Sequence, residues 1–424
     1  MRMTQPDHEE LVPLADIDLF PAGFYRSGDP HAAWRALRLS APVWRQTAPD
    51  GTPFWSVTRY HDVVSVLKDT SRYSSEHSTM LTVLHGDPAK GRAIHLMDPP
   101  RHRVIRAPSM HMLSMQVMHK HEARIRERVR AMIAAAVAER EIDFARLATA
   151  IPMAIAGEVI GIQERHWADV ARWTIAGLAP DDPFYTAGMD RGTLQVAHVY
   201  LFTILTVLIE ARREQPADDL ISVLLSLEID GQPATDNDVL VNCYSFIMGA
   251  TPTVPQAASH LLFVLLEHPD MWRDLRSDPT LLPTVTEEAL RWSTPINHLL
   301  RRTTGPVTLG DEILPPGSLV VAWLASADRD ETVFTDPYVF DPRRNPNPHV
   351  AFGVGPHRCV GSAPARVGLS LLLSELIDQV SDFEPAGPAE HLESNFLNGI
   401  TSLPVALHPA GKPAAYKSGA SSSA

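Results

Sequence analysis

The sequence predicts a mainly α-helical fold with small β-sheets, built as one large domain. Three observations lead there. From residue 102 to about 300 nearly every segment repeats its apolar residues at the helical period. Short alternating segments of β character lie before and after that block, so strands from both ends close around a helical middle. The 36 prolines cluster in stretches such as "DPP", "LPPG", "FDPRR" and "NPNPH", which cut the chain into short units without an internal repeat.

Taken in order, "HAAWRALRLS" (31–40) reads as a helix. "PVWRQT", the turn "PDGT" and "PFWSVTR" read as a β-hairpin, because apolar and polar residues alternate on either side of a Gly-containing turn. "HDVVSVLKD" is the next helix, followed by an irregular stretch over 74–97. The helical block then contains "EARIRERVRAMIAAAVAER", "PMAIAGEVIGI", "AHVYLFTILTVLIEARRE" and "DDLISVLLSLE". Beyond 300 come the strands of "PVTLGDEILPPGSLVVAWLA", a Pro-rich meander, a glycine loop and the helix "SAPARVGLSLLLSELIDQV". Residues 1–19 read as an N-terminal extension, 20–408 as the domain, and 409–424 as a low-complexity tail expected to be disordered.

At 424 residues and 45% hydrophobic content the chain can bury a sizeable core, and disorder is excluded for most of its length. A formal charge of −13 argues against nucleic acid or an anionic membrane as the main partner. No apolar run reads as long enough to span a bilayer without a charge or break, and "MRMTQPDHEE" lacks a signal-peptide core. Cys243 and Cys359 are too few for a disulfide framework. These features predict an acidic cytoplasmic protein with no nucleic-acid and no membrane partner.

Two stretches carry the chemistry. The first is "MGATPTVPQAAS" (248–259), which interrupts what otherwise reads as one helix of about 45 Å. Pro252 and Pro255 each remove a hydrogen bond and crowd the preceding turn. Locally, Thr251 can act as an N-cap with Pro252 as the first residue of a restarted helix. The second is "HVAFGVGPHRCVGSAPARVGL". A dinucleotide-binding reading fails there, since Arg358 stands where the third glycine of G-x-G-x-x-G belongs. A zinc site is poor, as no other cysteine is near. Cys359 precedes a helix and adjoins Arg358, which favours a thiolate, and such a thiolate is a strong axial ligand for haem iron. The glycines would let the backbone approach a flat macrocycle. The plainer alternative is a buried, inert cysteine.

"FGVGPHRCVG" resembles the haem-binding loop of the cytochrome P450 family, with Phe352, Gly355, Cys359 and Gly361 at the motif positions. "EEALR" supplies that family's Glu-x-x-Arg pair as Glu288 and Arg291, and "FDPRR" its meander arginine as Arg344. "DPPRHRVIR" resembles the haem-facing helix, with His102 and Arg106, and counting back from Val307 selects Arg301 over Arg302 as the strand arginine. The resemblance covers roughly residues 20–408. It implies a single haem domain with haem b held between a long central helix and the cysteine loop, and Cys359 as iron ligand. His102, Arg106, Arg301 and His357 would then meet the haem propionates, because buried carboxylates demand cations or donors. Glu288, Arg291 and Arg344 would form a buried structural ion triad.

The resemblance also places Pro252 at the position of a proton-relaying acid and Thr253 at that of its partner threonine, beside Ala250. A proline relays no proton. The substrate pocket implied by the family includes Phe246, Ile296, Leu299 and Ile400, with Asn297, His298 and Asn398 as orienting polar groups. The leading expectation is therefore a monooxygenase that acts with dioxygen on a medium-sized, largely apolar small molecule. A separate ferredoxin and ferredoxin reductase would supply electrons, and secondary-metabolite tailoring is the expected setting. Two alternatives stand beside it: atypical chemistry (peroxide-driven oxidation, coupling or desaturation) and a non-catalytic haem-binding sensor. "MHMLSMQVMHKH" (110–121) looks like a soft-metal box but is expected to be packing and surface. Cys243 is most simply a core residue.

Overall fold

A computed structural model describes residues 11–180, 182–186 and 192–411. Its largest sheet has five strands, in the spatial order Val43–Thr47, Pro53–Val57, Leu319–Trp323, His298–Thr303 and Tyr73–Ser74. The hairpin forms as its alternation predicts, with Trp44 opposite Ser56. Leu319–Trp323 lies at the centre, parallel to Pro53–Val57 and antiparallel to His298–Thr303. Every one of its residues is buried, which is why it reads as an unbroken apolar run rather than an alternating one. A second sheet joins Val380–Pro385 to Pro404–Pro409 and then to Glu141–Asp143, so the chain's end is woven into its middle.

The helical block packs around one large core that takes residues from nearly every helix, including Cys243, which is buried as expected. The Met/His run splits: Met112 and Met118 enter this core while Met110 and Met115 are exposed, so it forms no common box.

Three expectations need correction. The packed body starts ahead of residue 20, because Ile17 and Leu19 fill space beneath the large sheet. Gln46 Nε2 donates to Ile17 O at 3.0 Å and Tyr25 Oη to Leu19 O at 2.8 Å, which fixes that segment. At the other end Pro409 closes a strand, so the body extends past 408, and residues 412–424 lie outside the described residues. Finally, the helix Thr193–Glu214 is, by length and composition, apolar enough to cross a membrane. It packs Ala197, Leu201, Leu205 and Ile209 inward and leaves Val199 and Val207 exposed.

The broken helix consists of Asp236–Ala250 and Thr253–Glu267. Its start is set by a capping box, Thr235 with Asp238. At the break the N-cap expectation fails. Thr251 keeps a helical conformation, and its Oγ1 donates back to Ile247 O at 2.9 Å and lies 2.6 Å from Thr174 Oγ1. Its hydroxyl is held on the turn behind it, away from the N–H groups of the next one. Pro252 occupies the N-cap position and makes no side-chain cap.

Candidate functional site

The cysteine loop runs from Val350 into the helix Ser362–Gln379. Gly353 and Gly355 both adopt positive φ, at 63° and 76°. A Cβ on Gly355 would stand 2.8 Å from Leu67 O, so this glycine is required by close packing on the helix Tyr60–Lys68. This packing requirement stands beside the expected approach to a macrocycle. The loop is held by Cys359 N donating to Phe352 O at 2.8 Å. Cys359 lies deep in the molecule yet its surface is open, so it borders an interior space. Burial pushes its thiol up, while the Gly361 N–H and the Arg106, Arg358 and Arg366 charges pull it down. For the polypeptide alone burial wins, against the expectation of a thiolate favoured by charge and dipole.

Cations gather beside this loop. His102 and Arg106 stand one turn apart on the helix Arg101–Met112, so both side chains project from one face. Arg106 donates to Arg358 O. The rings of His102 and His357 are 4.2 Å apart. Arg301 is buried and Arg302 exposed, as alternation along the strand requires, with Val320 opposite Arg301. Burial lowers His102 to about 4 and Arg301 to about 10; burial together with repulsion from Arg301, His102 and Arg106 lowers His357 to about 2. His95, which sequence reasoning missed, is lowered by burial and feels the Arg301 charge. Both nitrogens of His102, Nε of Arg301 and Nε2 of His357 are buried without a hydrogen-bond partner among the described residues. Such a group of unmatched donors is a site made for anions.

At the break, Thr253 Oγ1 donates to Gly249 O at 2.9 Å. The hydroxyl of Thr253 is therefore held by Gly249, next to Ala250. Gly249 is exposed although Phe246 and Ile247 just before it are buried, and nothing lies within 4 Å of where its Cβ would stand. It is the only glycine in the two half-helices, a signal that could have singled it out. The cysteine helix packs against the second half-helix, where a Cβ on Gly368 would meet Val254 at 3.9 Å. Loop and break are thus neighbours.

The residues of the expected triad come together. Arg291 Nε and Nη2 donate to the Glu288 carboxylate at 2.8 and 2.7 Å, and Arg344 Nε donates to the same group at 3.1 Å. Asn347 Nδ2 and Asp341 N add further donors to it at 3.0 and 2.9 Å. Arg344 spends its remaining donors on Thr335 O, Asp336 O and Val339 O, which ties the meander to the helix Leu282–Ser293. The adjacent Glu287 forms a second clamp: it accepts from Arg366 Nη2 at 2.7 Å and lies 3.2 Å from His349 Nε2. Arg366 also lies over the Phe352 ring at 4.6 Å, so Glu287 braces the cysteine loop itself. Sequence reasoning missed Glu287, though its place beside Glu288 and a basic residue on the loop's helix were visible.

A family model described as Cytochrome P450 matches residues 169–386. The linalool 8-monooxygenase of Pseudomonas putida is 32% identical over 404 residues, covering 92% of this chain and 99% of that protein. The chain belongs to the cytochrome P450 family. Among solved structures, a Mycobacterium marinum cytochrome P450 in complex with pseudoionone superposes with a TM-score of 0.87 at 28% identity, over 93% of this chain and 99% of that one. The P450 OxyD, involved in the biosynthesis of vancomycin-type antibiotics, superposes with a TM-score of 0.82 at 31% identity, over 93% of this chain and 100% of that one.

As a cytochrome P450 monooxygenase the chain is an oxidoreductase whose cofactor is haem b. Its residues fit that group: an open thiol in a glycine loop and, beside it, unmatched buried donors of the kind two carboxylates require. The expected polar handles of the P450 pocket are largely engaged by the protein itself, although Asn297 Oδ1 is buried without a partner among the described residues. His298 Nε2 accepts from Leu81 N at 3.0 Å, its Nδ1 lies 3.1 Å from Asn395 O, and its ring packs on Trp323 and Phe396. Asn297 Nδ2 donates to Asn395 O and Asn398 Nδ2 to Ser293 O. Asn297 and His298 fasten the 395–400 turn through its Asn395 carbonyl, and Asn398 ties the same turn to the end of the helix Leu282–Ser293, because buried carbonyls in this region must be satisfied. Ile296 and Leu299 are partly exposed, while Phe246 and Ile400 are buried.

Proposed function

We propose that this cytochrome P450 inserts one oxygen atom from dioxygen into a medium-sized, largely apolar small molecule, as a tailoring step in secondary metabolism, with electrons from a separate ferredoxin and its reductase. The observation that carries the reading is the open Cys359 thiol beside the unmatched donors of His102, Arg301 and His357. In this reading Cys359 ligates the haem iron, and those donors with Arg106 take the propionates. Bound haem supplies the activation of dioxygen. Thr253 holds a proton at Oγ1, and Phe246, Ile296, Leu299 and Ile400 shape an apolar wall. Linalool and pseudoionone, named for two relatives, are mostly hydrocarbon with one oxygen function, which suits a pocket whose candidate polar handles are largely engaged elsewhere.

A second reading, atypical chemistry such as peroxide-driven oxidation, is favoured by Pro252, which leaves no acid beside Thr253. Turnover with a surrogate ferredoxin system, compared with peroxide alone, separates the two: dominant ferredoxin-dependent turnover is expected. Only peroxide-dependent turnover would support the second reading.

Two predictions belong here. Arg301→Ala should weaken haem retention by roughly tenfold, as loss of a charge-assisted hydrogen bond implies, and Arg302→Ala should leave it unchanged. Haem loss on dilution measures both, and equal loss would remove Arg301 from the propionate site. Pro252→Glu should lower the peroxide released per electron pair with a surrogate substrate, since it restores an acid beside Thr253. If Thr253→Ala stays fully coupled with the true substrate, Thr253 holds no relayed proton.

A further inference from the structure

Three polar atoms around the second half of the broken helix are left over once packing is accounted for. Ser259 Oγ, His260 Nε2 and His391 Nδ1 are buried with no hydrogen-bond partner among the described residues. Ser259 and His260 are wholly inaccessible, in a helix whose neighbours are aliphatic. The state of His260 follows from one contact. Its Nδ1 lies 2.8 Å from Gln256 O, and a carbonyl only accepts, so Nδ1 carries the proton and Nε2 is a bare lone pair. Burial holds the ring neutral, lowering it to about 3. A buried acceptor of this kind requires a donor, and a water bonded to the neighbouring polar atoms supplies one.

The surrounding geometry gives these groups a direction. Thr253, Gln256 and His260 follow one another at i, i+3 and i+7, so they share a face of the helix. Gln256 Oε1 accepts from Ile400 N at 2.7 Å, which leaves its Nε2 free to donate. Ile400 is paired across the strands with His391. The His391 ring meets Phe263, one turn beyond His260, at 6.4 Å, and its charge is felt at His260. His391 is only partly buried. The groups on this side thus lead from partly exposed His391, across its pairing with Ile400, to His260 and Gln256 and on to the break.

We propose that His260, Ser259 and His391 hold ordered water that conducts protons from solvent to Thr253, in place of the carboxylate missing at Pro252. The proposal rests on the monooxygenase reading of the break. One proton enters from a solvent hydronium, and each water passes a proton on as it takes one. At Thr253 the O–H, which rests on Gly249 O, first turns towards the cavity; Oγ1 then takes the incoming proton on a lone pair as it gives up its own, so no side chain changes charge. His260 is a positioning residue in this scheme, since it acts on Thr253 only through water.

A high-resolution crystal structure of the haem-loaded protein tests it without turnover: ordered waters are expected within hydrogen-bond distance of His260 Nε2 and His391 Nδ1. Their absence overturns the proposal. In solution, His260→Phe and His391→Phe should keep haem content and the substrate-induced spectral shift. Peroxide released per product should rise on the order of tenfold, below the hundredfold or more of a direct acid or base because His260 acts through water. His260→Gln, which keeps a polar atom in place, should restore most of the coupling. Wild-type coupling in both Phe variants would overturn the path. Should His260→Phe not fold, His391→Phe on its partly exposed strand carries the test. If the wild type itself consumes no dioxygen in a substrate-dependent way, the monooxygenase reading fails, and the waters alone decide whether the path exists.

Discussion

Cys359→Ser is expected to abolish the thiolate signature of the reduced carbon monoxide complex and the turnover that depends on it, while Cys243→Ser leaves both intact. The two cysteines differ in what surrounds them. Cys359 opens onto the interior space beside Arg106, Arg358 and Arg366, and the Gly361 N–H is aimed at its sulfur. Cys243 is sealed among apolar side chains, and burial pushes its thiol far up, so it presents neither access nor a stabilised anion. Burial also raises Cys359 in the bare polypeptide, which makes iron the partner that stabilises its thiolate once haem is bound. A serine hydroxyl has a much higher pKa and is a poor soft ligand, so the signature should vanish even where haem is retained through its carboxylates. Recording the spectra of both purified variants settles the assignment. A Cys359→Ser protein that keeps the thiolate signature would place the ligand elsewhere.

Where local chemistry decides a position, the sequence could be read. The hairpin followed from alternation around "PDGT". Arg301 does turn inward, but the count from Val307 that selected it crosses from one strand into another, since Val307 belongs to Val307–Leu309 and Arg301 to His298–Thr303. The Glu288 triad could be named from the resemblance to the family, whose Glu-x-x-Arg pair and meander arginine fall on Glu288, Arg291 and Arg344. What failed depends on who else is nearby. Thr251 looks like an N-cap until Thr174, distant in sequence, is seen to share its hydroxyl. Asn297, His298 and Asn398 look like ligand handles because the sequence does not show the carbonyls they meet, Asn395 O in the turn and Ser293 O at a helix end. Gly355 looks like a concession to a cofactor, and the sequence does not show the Leu67 carbonyl that also forbids a side chain there. His260 was passed over because a lone histidine in an apolar helix gives no sign that one ring nitrogen is left bare.

The neighbouring carboxylates Glu287 and Glu288 should respond very differently to the same change. Glu288 is fully buried and receives donors from Arg291, Arg344, Asn347 and the Asp341 amide. Glu288→Gln keeps the volume but strands two guanidinium charges, one of them on a wholly buried side chain, and should cost about 3–5 kcal/mol of stability. Glu287 is 30% exposed and pairs with a similarly exposed Arg366, so solvent screens much of its attraction. Glu287→Gln should cost about 1 kcal/mol. Its pH dependence has a definite sign. Hydrogen bonds from Arg366 and His349 hold Glu287 at about 2, below its ordinary 4.5, despite the opposing effect of burial. A depressed carboxyl contributes fully above the ordinary value and loses that contribution as pH falls from 4.5 towards 2. The stability gap between wild type and Glu287→Gln should therefore close over that window. Urea unfolding of wild type and both variants, at neutral pH and at steps through the acid range, measures the two effects together. Equal destabilisation by the two substitutions at neutral pH would mean that the Glu288 cluster is as well solvated as its neighbour, and the ion triad would lose its role in fixing the meander.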